Sequence, residues 1–149
     1  MDNLKNLEKK ISYKFKNKNL LKNAMTHKTY AFEATDPLEF NERLEFLGDS
    51  ILGFIAAEKL YDTNKYFSEG ELTRRRSIFV NNKYLAKKAK EIEIGKYLNL
   101  GKGETMQNGA KNPTNLANAL EALIGAIYLD SNLKTVKKFI KEIIFENKI

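Results

Sequence analysis

The chain reads as an all-α domain. Apolar residues recur at helical spacing through most of its length, no strict polar–apolar alternation runs long enough to build a sheet, and "SEGE" at 68–71 has the S-x-x-E spacing of a capping box. Taken in order, the recurrence predicts helices around 4–10, 18–25, 42–62, 69–79, 81–91 and 114–129. In the helix over 42–62, Leu44, Leu47, Ile51, Leu52 and Ile55 cover much of the circumference, which predicts burial on most sides. Ser68 is the expected cap of the next helix, whose first turn carries Glu69 and Glu71. The stretch "NLGKGETMQNGAKNPT" at 99–114, rich in Gly and Asn and ending at Pro113, predicts a mobile loop before the helix over 114–129. At the end of the chain Val136, Phe139, Ile140, Ile143 and Ile144 follow the i, i+3, i+4, i+7, i+8 pattern of one helix face, with lysines between them.

With 149 residues, 42% of them hydrophobic, and nine Phe and seven Tyr to fill a core, the expectation is a single domain over 1–149. No repeat or change of composition divides it. No apolar run approaches the roughly eighteen residues of a membrane span, and the opening "MDNLKNLEKK" carries charges where a secretory signal would be apolar, so a cytoplasmic protein with no membrane partner is expected. The absence of Cys excludes disulfides, thiolate metal sites and cysteine nucleophiles, and a lone histidine, His27, excludes a multi-histidine zinc site. Any metal must be held by oxygen. The balance of 26 Lys plus Arg against 19 Asp plus Glu gives +7, which suits a polyanion such as nucleic acid. Because all but four of the basic residues are Lys and Asn is also abundant, a general compositional bias explains the charge equally well.

The stretch "NERLEFLGDS" at 41–50 sets carboxylates among side chains suited to a core. On a helix Glu42, Glu45 and Asp49 stand at i, i+3 and i+7 and project from one face. The helix over 114–129 is apolar almost all round yet carries Glu121, with Asn118 one turn earlier on the same face. Buried carboxylates without partners cost several kcal/mol, so they call for cations or protons. A salt-bridge cluster is one solution. A hard divalent cation such as Mg²⁺, which takes oxygen ligands and keeps some water, is the other. Acidic helix bundles that hold iron usually add histidines, which this chain lacks.

These residues resemble the signature of the ribonuclease III family, endonucleases that cut double-stranded RNA. The likeness continues through "THKTY" at 26–30, "SEGELTRRRSIFVNN" at 68–82, "LGKGE" at 100–104 and "ALEALIGAIYLD" at 119–130. It implies the all-α ribonuclease III endonuclease domain, a multi-helix bundle forming a homodimer with two active sites along a valley for the duplex. It also implies Mg²⁺-dependent hydrolysis, with Mn²⁺ as a possible substitute, leaving 5′-phosphate and 3′-hydroxyl ends and short 3′ overhangs in rRNA and mRNA processing. Position by position, Glu45, Asp49 and Glu121 match the family's catalytic carboxylates, and the same three with Asn118 match its metal ligands. Glu42 and Glu69 match accessory acidic residues, and Phe46 matches the aromatic at the dimer interface. Gly48, unfavourable within a helix by about 1 kcal/mol, is expected to admit another chain segment closely.

Two departures stand out. Asn118 occupies a position where the family usually has Asp, so the site loses one negative charge and holds its metal more weakly. This leaves a slower nuclease, a duplex-RNA-binding scaffold or a substrate-trapping variant as alternatives. The double-stranded RNA-binding domain usual in bacterial members is not in this chain, so affinity should rest on Lys and Arg contacts to phosphate, with Arg74, Arg75, Arg76 and the lysines of 99–114 as candidates. His27 is expected to be structural, and the aromatics to serve core and interface.

Overall fold

The structure is a computed structural model that describes residues 2–149, and its elements are helices and helical turns joined by loops. The helices are α1 (Asp2–Lys10), α2 (Lys18–Ala24), α3 (Lys28–Glu33), α4 (Glu42–Thr63), α5 (Glu69–Val80), α6 (Asn82–Glu91), α7 (Lys102–Met106), α8 (Pro113–Asp130) and α9 (Leu133–Phe139). Short 3₁₀ turns lie at Ile94–Tyr97 and Gly109–Lys111, and a π turn at Ile140–Ile144. Each segment expected to be helical is helical, with ends within about two residues.

Helix α8 is the axis of the core. Every residue from Ala119 to Ile127 is buried, as are Leu116 and Ala117. Its start is fixed by Asn112, whose side chain accepts from the N–H groups of Thr114 and Asn115, and by Pro113 in the first turn, where no N–H is needed. Helix α4 lies along it, with α6 and α2 on its other sides and α5 outside α4. Leu44, Ile51, Leu52, Ile55 and Ala56 of α4 complete the main apolar layer.

Two glycines set how close α4 and α8 come. A Cβ on Gly48 would lie 1.7 Å from the Glu121 carbonyl oxygen, and one on Gly125 would lie 2.4 Å from the Leu44 carbonyl oxygen. The two backbones therefore touch where any other residue would separate them, which answers the expectation for Gly48. The entry to α4 is also fixed. A single parallel bridge joins Thr26 to Asn99, and the Thr26 carbonyl accepts the N–H of buried Asn41 at 2.9 Å. The first turn of α4 thus starts from a tethered point.

Three regions depart from the sequence expectation. The 99–114 segment is not one loop: it folds into α7 and a 3₁₀ turn, and Asn115 ties both to α8 by donating to Glu104 (2.7 Å) and to the Gly109 carbonyl (3.1 Å). Its Gly and Asn residues build turns, as at left-handed Asn108 (φ 59°). Helix α3 is too short to show a period; it is capped by His27, whose ring accepts from the Thr29 N–H, and this gives the lone histidine a structural role. The final helix does not run straight through its apolar pattern. After Phe139 it widens into the π turn, closed by the Phe145 N–H to the Ile140 carbonyl (2.9 Å), which buries both Ile144 and Phe145. Tyr84 holds this end by donating to the Ile144 carbonyl, and buried Lys88 pairs with Glu91 and Glu146.

Gly48→Ala is expected to lower unfolding free energy by about 2–4 kcal/mol, because the backbones of α4 and α8 must part. Gly53→Ala on the same helix, where a Cβ meets nothing within 4 Å, is expected to stay within about 1 kcal/mol of the parent. Urea titration of the two variants measures the difference.

Candidate functional site

The glycine crossing brings the acidic face of α4 against the polar stripe of α8. Between them opens a cleft of about 550 Å³ lined by Glu42, Glu45, Phe46, Asp49, Asn82, Asn118 and Glu121. Four carboxylates and two amides make its wall mainly oxygen and nitrogen beside Phe46, although α4 and α8, which carry all of these polar groups but Asn82, are among the most apolar helices in the chain.

Exposure rises outward across the cleft. Glu121 is 6% exposed, Glu45 and Asn118 are half-buried, and Glu42 and Asp49 face solvent. The carboxyl of Glu121 is pushed up to about 8, first by burial and then by the charges of Asp49 and Glu45. Burial and the charges of Glu42 and Asp49 raise Glu45 too, with Lys28 opposing. Among the described residues no cation pairs with Glu45, Asp49 or Glu121; the salt bridge that does form, Lys28 to Glu42 at 3.1 Å, serves the outermost carboxylate. The salt-bridge reading therefore accounts for Glu42 and leaves Glu45, Asp49 and Glu121 without a cationic partner among the described residues.

The contrast with the other buried charges is sharp. Glu8 accepts from the Phe15 N–H at 2.8 Å and pairs with Lys18, and Lys88 sits between two glutamates. Glu121 has no such compensation. Its surroundings fit a cation in donor chemistry, since every neighbouring polar group offers a hard oxygen. Among the described residues no three Asp, Glu or His side chains are closed around one point, so the donors line an open cleft rather than a cage. A cation that keeps several waters needs no cage.

Glu42, Glu45, Asp49, Asn118 and Glu121 thus come together as the sequence suggests, and Phe46 stands at the rim, 77% exposed. Glu69 does not join them: it is exposed in the first turn of α5, outside the cleft lining. Asn82 lines the cleft without having been singled out from the sequence. It opens α6 next to a capping asparagine, and nothing local distinguishes it; only the α5–α6 corner brings it there. Of the candidate phosphate contacts, Arg75 is held by Glu71 (2.9 Å) and lies over the Phe67 ring, while Arg74 and Arg76 are exposed.

An all-helical domain with an uncompensated acidic, oxygen-lined cleft between two core helices defines the class. A family profile described as Ribonuclease-III-like matches residues 17–148. Ribonuclease 3 of Buchnera aphidicola from Acyrthosiphon pisum is 46% identical over 136 residues, which are 91% of this chain and 58% of the relative. Ribonuclease 3 of Caldanaerobacter subterraneus subsp. tengcongensis is 45% identical over 144 residues, 94% of this chain and 63% of the relative. A crystal structure of the nuclease domain of ribonuclease III from Campylobacter jejuni superposes with a TM-score of 0.90 at 37% identity, covering 99% of this chain and 97% of that one. The chain belongs to the ribonuclease III family. It spans about three fifths of the length of these curated relatives and nearly the whole of the Campylobacter nuclease domain.

The charge of Glu121 should be visible in stability. The folded state holds this proton up to about pH 8, whereas an unfolded glutamate releases it near pH 4.3. Stability from this group is therefore full below the lower value and is lost as pH rises through the upper one. Without metal, the parent is expected to lose about 2 kcal/mol between about pH 5.5 and 8.5, and Glu121→Gln to lose much less. Thermal unfolding in chelator at both pH values checks this; equal losses would mean that a counter-charge already serves Glu121.

Proposed function

We propose that this chain is the nuclease domain of a metal-dependent endoribonuclease that cuts double-stranded RNA in the cytoplasm, in the processing of precursor RNAs. The observation that carries the reading is the buried, unpartnered Glu121 beside Glu45, Asp49 and Asn118, in a chain of the ribonuclease III family. Glu45, Asp49, Asn118 and Glu121 would hold Mg²⁺ or Mn²⁺, all through oxygen. When bound, such a cation makes water more acidic and stabilises charge on a phosphoryl oxygen. The chain's own part is to supply the anchoring charge: Glu121 accepts the ion most strongly because burial makes its naked charge costly. Glu42, tied to Lys28, stays at the mouth as an accessory acid, and Glu69 is assigned that role only if a second subunit approaches the cleft. The products are 5′-phosphate and 3′-hydroxyl ends with short 3′ overhangs, each of two subunits cutting one strand.

A homodimer is supported by the outer face of α4, where Phe46, Phe54 and Tyr61 are 77%, 53% and 74% exposed. Large rings in such a row mark an interaction surface. A second Campylobacter nuclease-domain structure, with a TM-score of 0.89 at 37% identity, is described in terms of a region involved in dimer formation. Duplex binding within this chain draws on exposed Arg74, Arg76, Lys102 and Lys111, so it should weaken steeply with salt.

Asn118 favours a second reading, a scaffold that binds duplex RNA and cuts it poorly, because an amide brings an oxygen without a charge. Incubation of the parent and Asn118→Asp with a long RNA duplex, at low salt with Mg²⁺ or Mn²⁺, separates the two. The expected outcome is cleavage by both, with Asn118→Asp needing about tenfold less metal. Binding without cutting by the parent, together with cutting by the Asp variant, selects the scaffold. Phe46→Ala is expected to shift the chain from dimer to monomer in sedimentation equilibrium and to abolish double-strand cutting, while its far-UV circular dichroism stays that of the parent.

A further inference from the structure

The cleft lining is short of hydrogen-bond donors. As carboxylates Glu42, Glu45 and Asp49 can only accept, Glu121 can donate only while it keeps its proton, and Phe46 offers nothing polar. The lining side chains that donate whatever the state of the acids are therefore the amides of Asn118 and Asn82. Asn118 stands one helical turn before Glu121 and belongs to the oxygen set of α8. Asn82 comes from a different helix, α6, and is the residue by which that helix reaches the cleft.

The local structure leaves the Asn82 side chain unused. Asn81, immediately before it, does all the capping: its side chain accepts from the Tyr84 N–H at 2.8 Å and donates to the carbonyls of Ser77 (2.8 Å) and Ile78 (3.0 Å). The turn from α5 into α6 is complete without help from Asn82, which is exposed and makes no side-chain hydrogen bond among the described residues. An amide suits this position for a physical reason. A lysine there would pair with the carboxylates and neutralise them, whereas an amide can donate to an anion without taking a charge from the acidic wall.

We propose that Asn82 is a positioning residue whose side-chain amide donates a hydrogen bond to a phosphate oxygen of the RNA strand lying in the cleft. The assignment rests on the duplex-RNA reading given above. A phosphate oxygen only accepts, ionised carboxylates repel it, and Asn82 offers it a donor from outside the two acidic helices. Asn82 makes and breaks no bond; it fixes where the backbone lies relative to Glu121 and Asp49.

The test compares Asn82→Ala, Asn82→Gln and Asn82→Asp with the parent. Aspartate matches asparagine in shape and keeps its acceptor but loses the donor. For each protein, kcat and KM on an RNA duplex, duplex binding in chelator at low salt, and the melting temperature are measured. The expected result is melting temperatures within about 1 °C of one another. Cleavage efficiency and duplex affinity each fall about tenfold in the Ala variant and at least as far in the Asp variant, with part of the loss recovered by Gln. An Asp variant equal to the parent, or an Ala variant equal to it in both assays, overturns the assignment. If the parent binds duplex RNA without cutting it, the nuclease reading alone fails and the binding assay decides Asn82. If it neither binds nor cuts, both fall.

Discussion

The contact of two helix backbones at Gly48 and Gly125 is the constraint on which the rest of the molecule depends. It removes the layer of side chains that normally separates packed helices by about 8–10 Å. Glycine within a helix costs about 1 kcal/mol against alanine, and the chain accepts that cost on both helices at one crossing. The return is positional: Gly48 lies between Glu45 and Asp49 in sequence, and the atom it meets is the carbonyl of Glu121 itself. The closest point of the core and the most buried acid of the cleft are thus the same place.

That coincidence explains how an apolar bundle can hold such charge. The packing around α8 is saturated, with Ala119, Leu120, Ala122 and Leu123 on either side of Glu121 all fully buried. The Glu121 backbone is held in that packing, and its carboxyl opens only onto the cleft, where burial raises its proton affinity. The other buried charges find partners, as Lys88 does with Glu91 and Glu146 and Glu8 does with Lys18 and the Phe15 N–H (2.8 Å). Local conflict left unresolved in one place, while it is resolved elsewhere, is the mark of a site kept for a ligand.

Around this centre the accessory structure serves to hold α4, α6 and α8 in register. The Thr26–Asn99 bridge and Asn41 tether the start of α4. Asn115, Glu104 and the Gly109 turn anchor the start of α8. Asn81 fixes the corner that carries Asn82 to the cleft. Asparagine recurs in these joints because its short amide can both accept from and donate to backbone groups at turns.

What the sequence by itself determined was the helical class, the position of every long helix, the cap at Ser68, and the shared face of Glu42, Glu45 and Asp49. All of these follow from local spacing and local chemistry, and they need no knowledge of partners across the fold. The run from 41 to 50 and the run around Glu121 also carried enough residues in order to mark the family. Only the tertiary structure decided which acids meet. It drew Asn82 into the cleft, left Glu69 outside it, gave Glu42 a partner in Lys28, folded 99–114 onto α8 and widened the last helix at Ile140. Each of these depends on where a distant backbone passes. Sequence periodicity records which face of a helix is buried, but not which other helix covers that face or how closely it approaches.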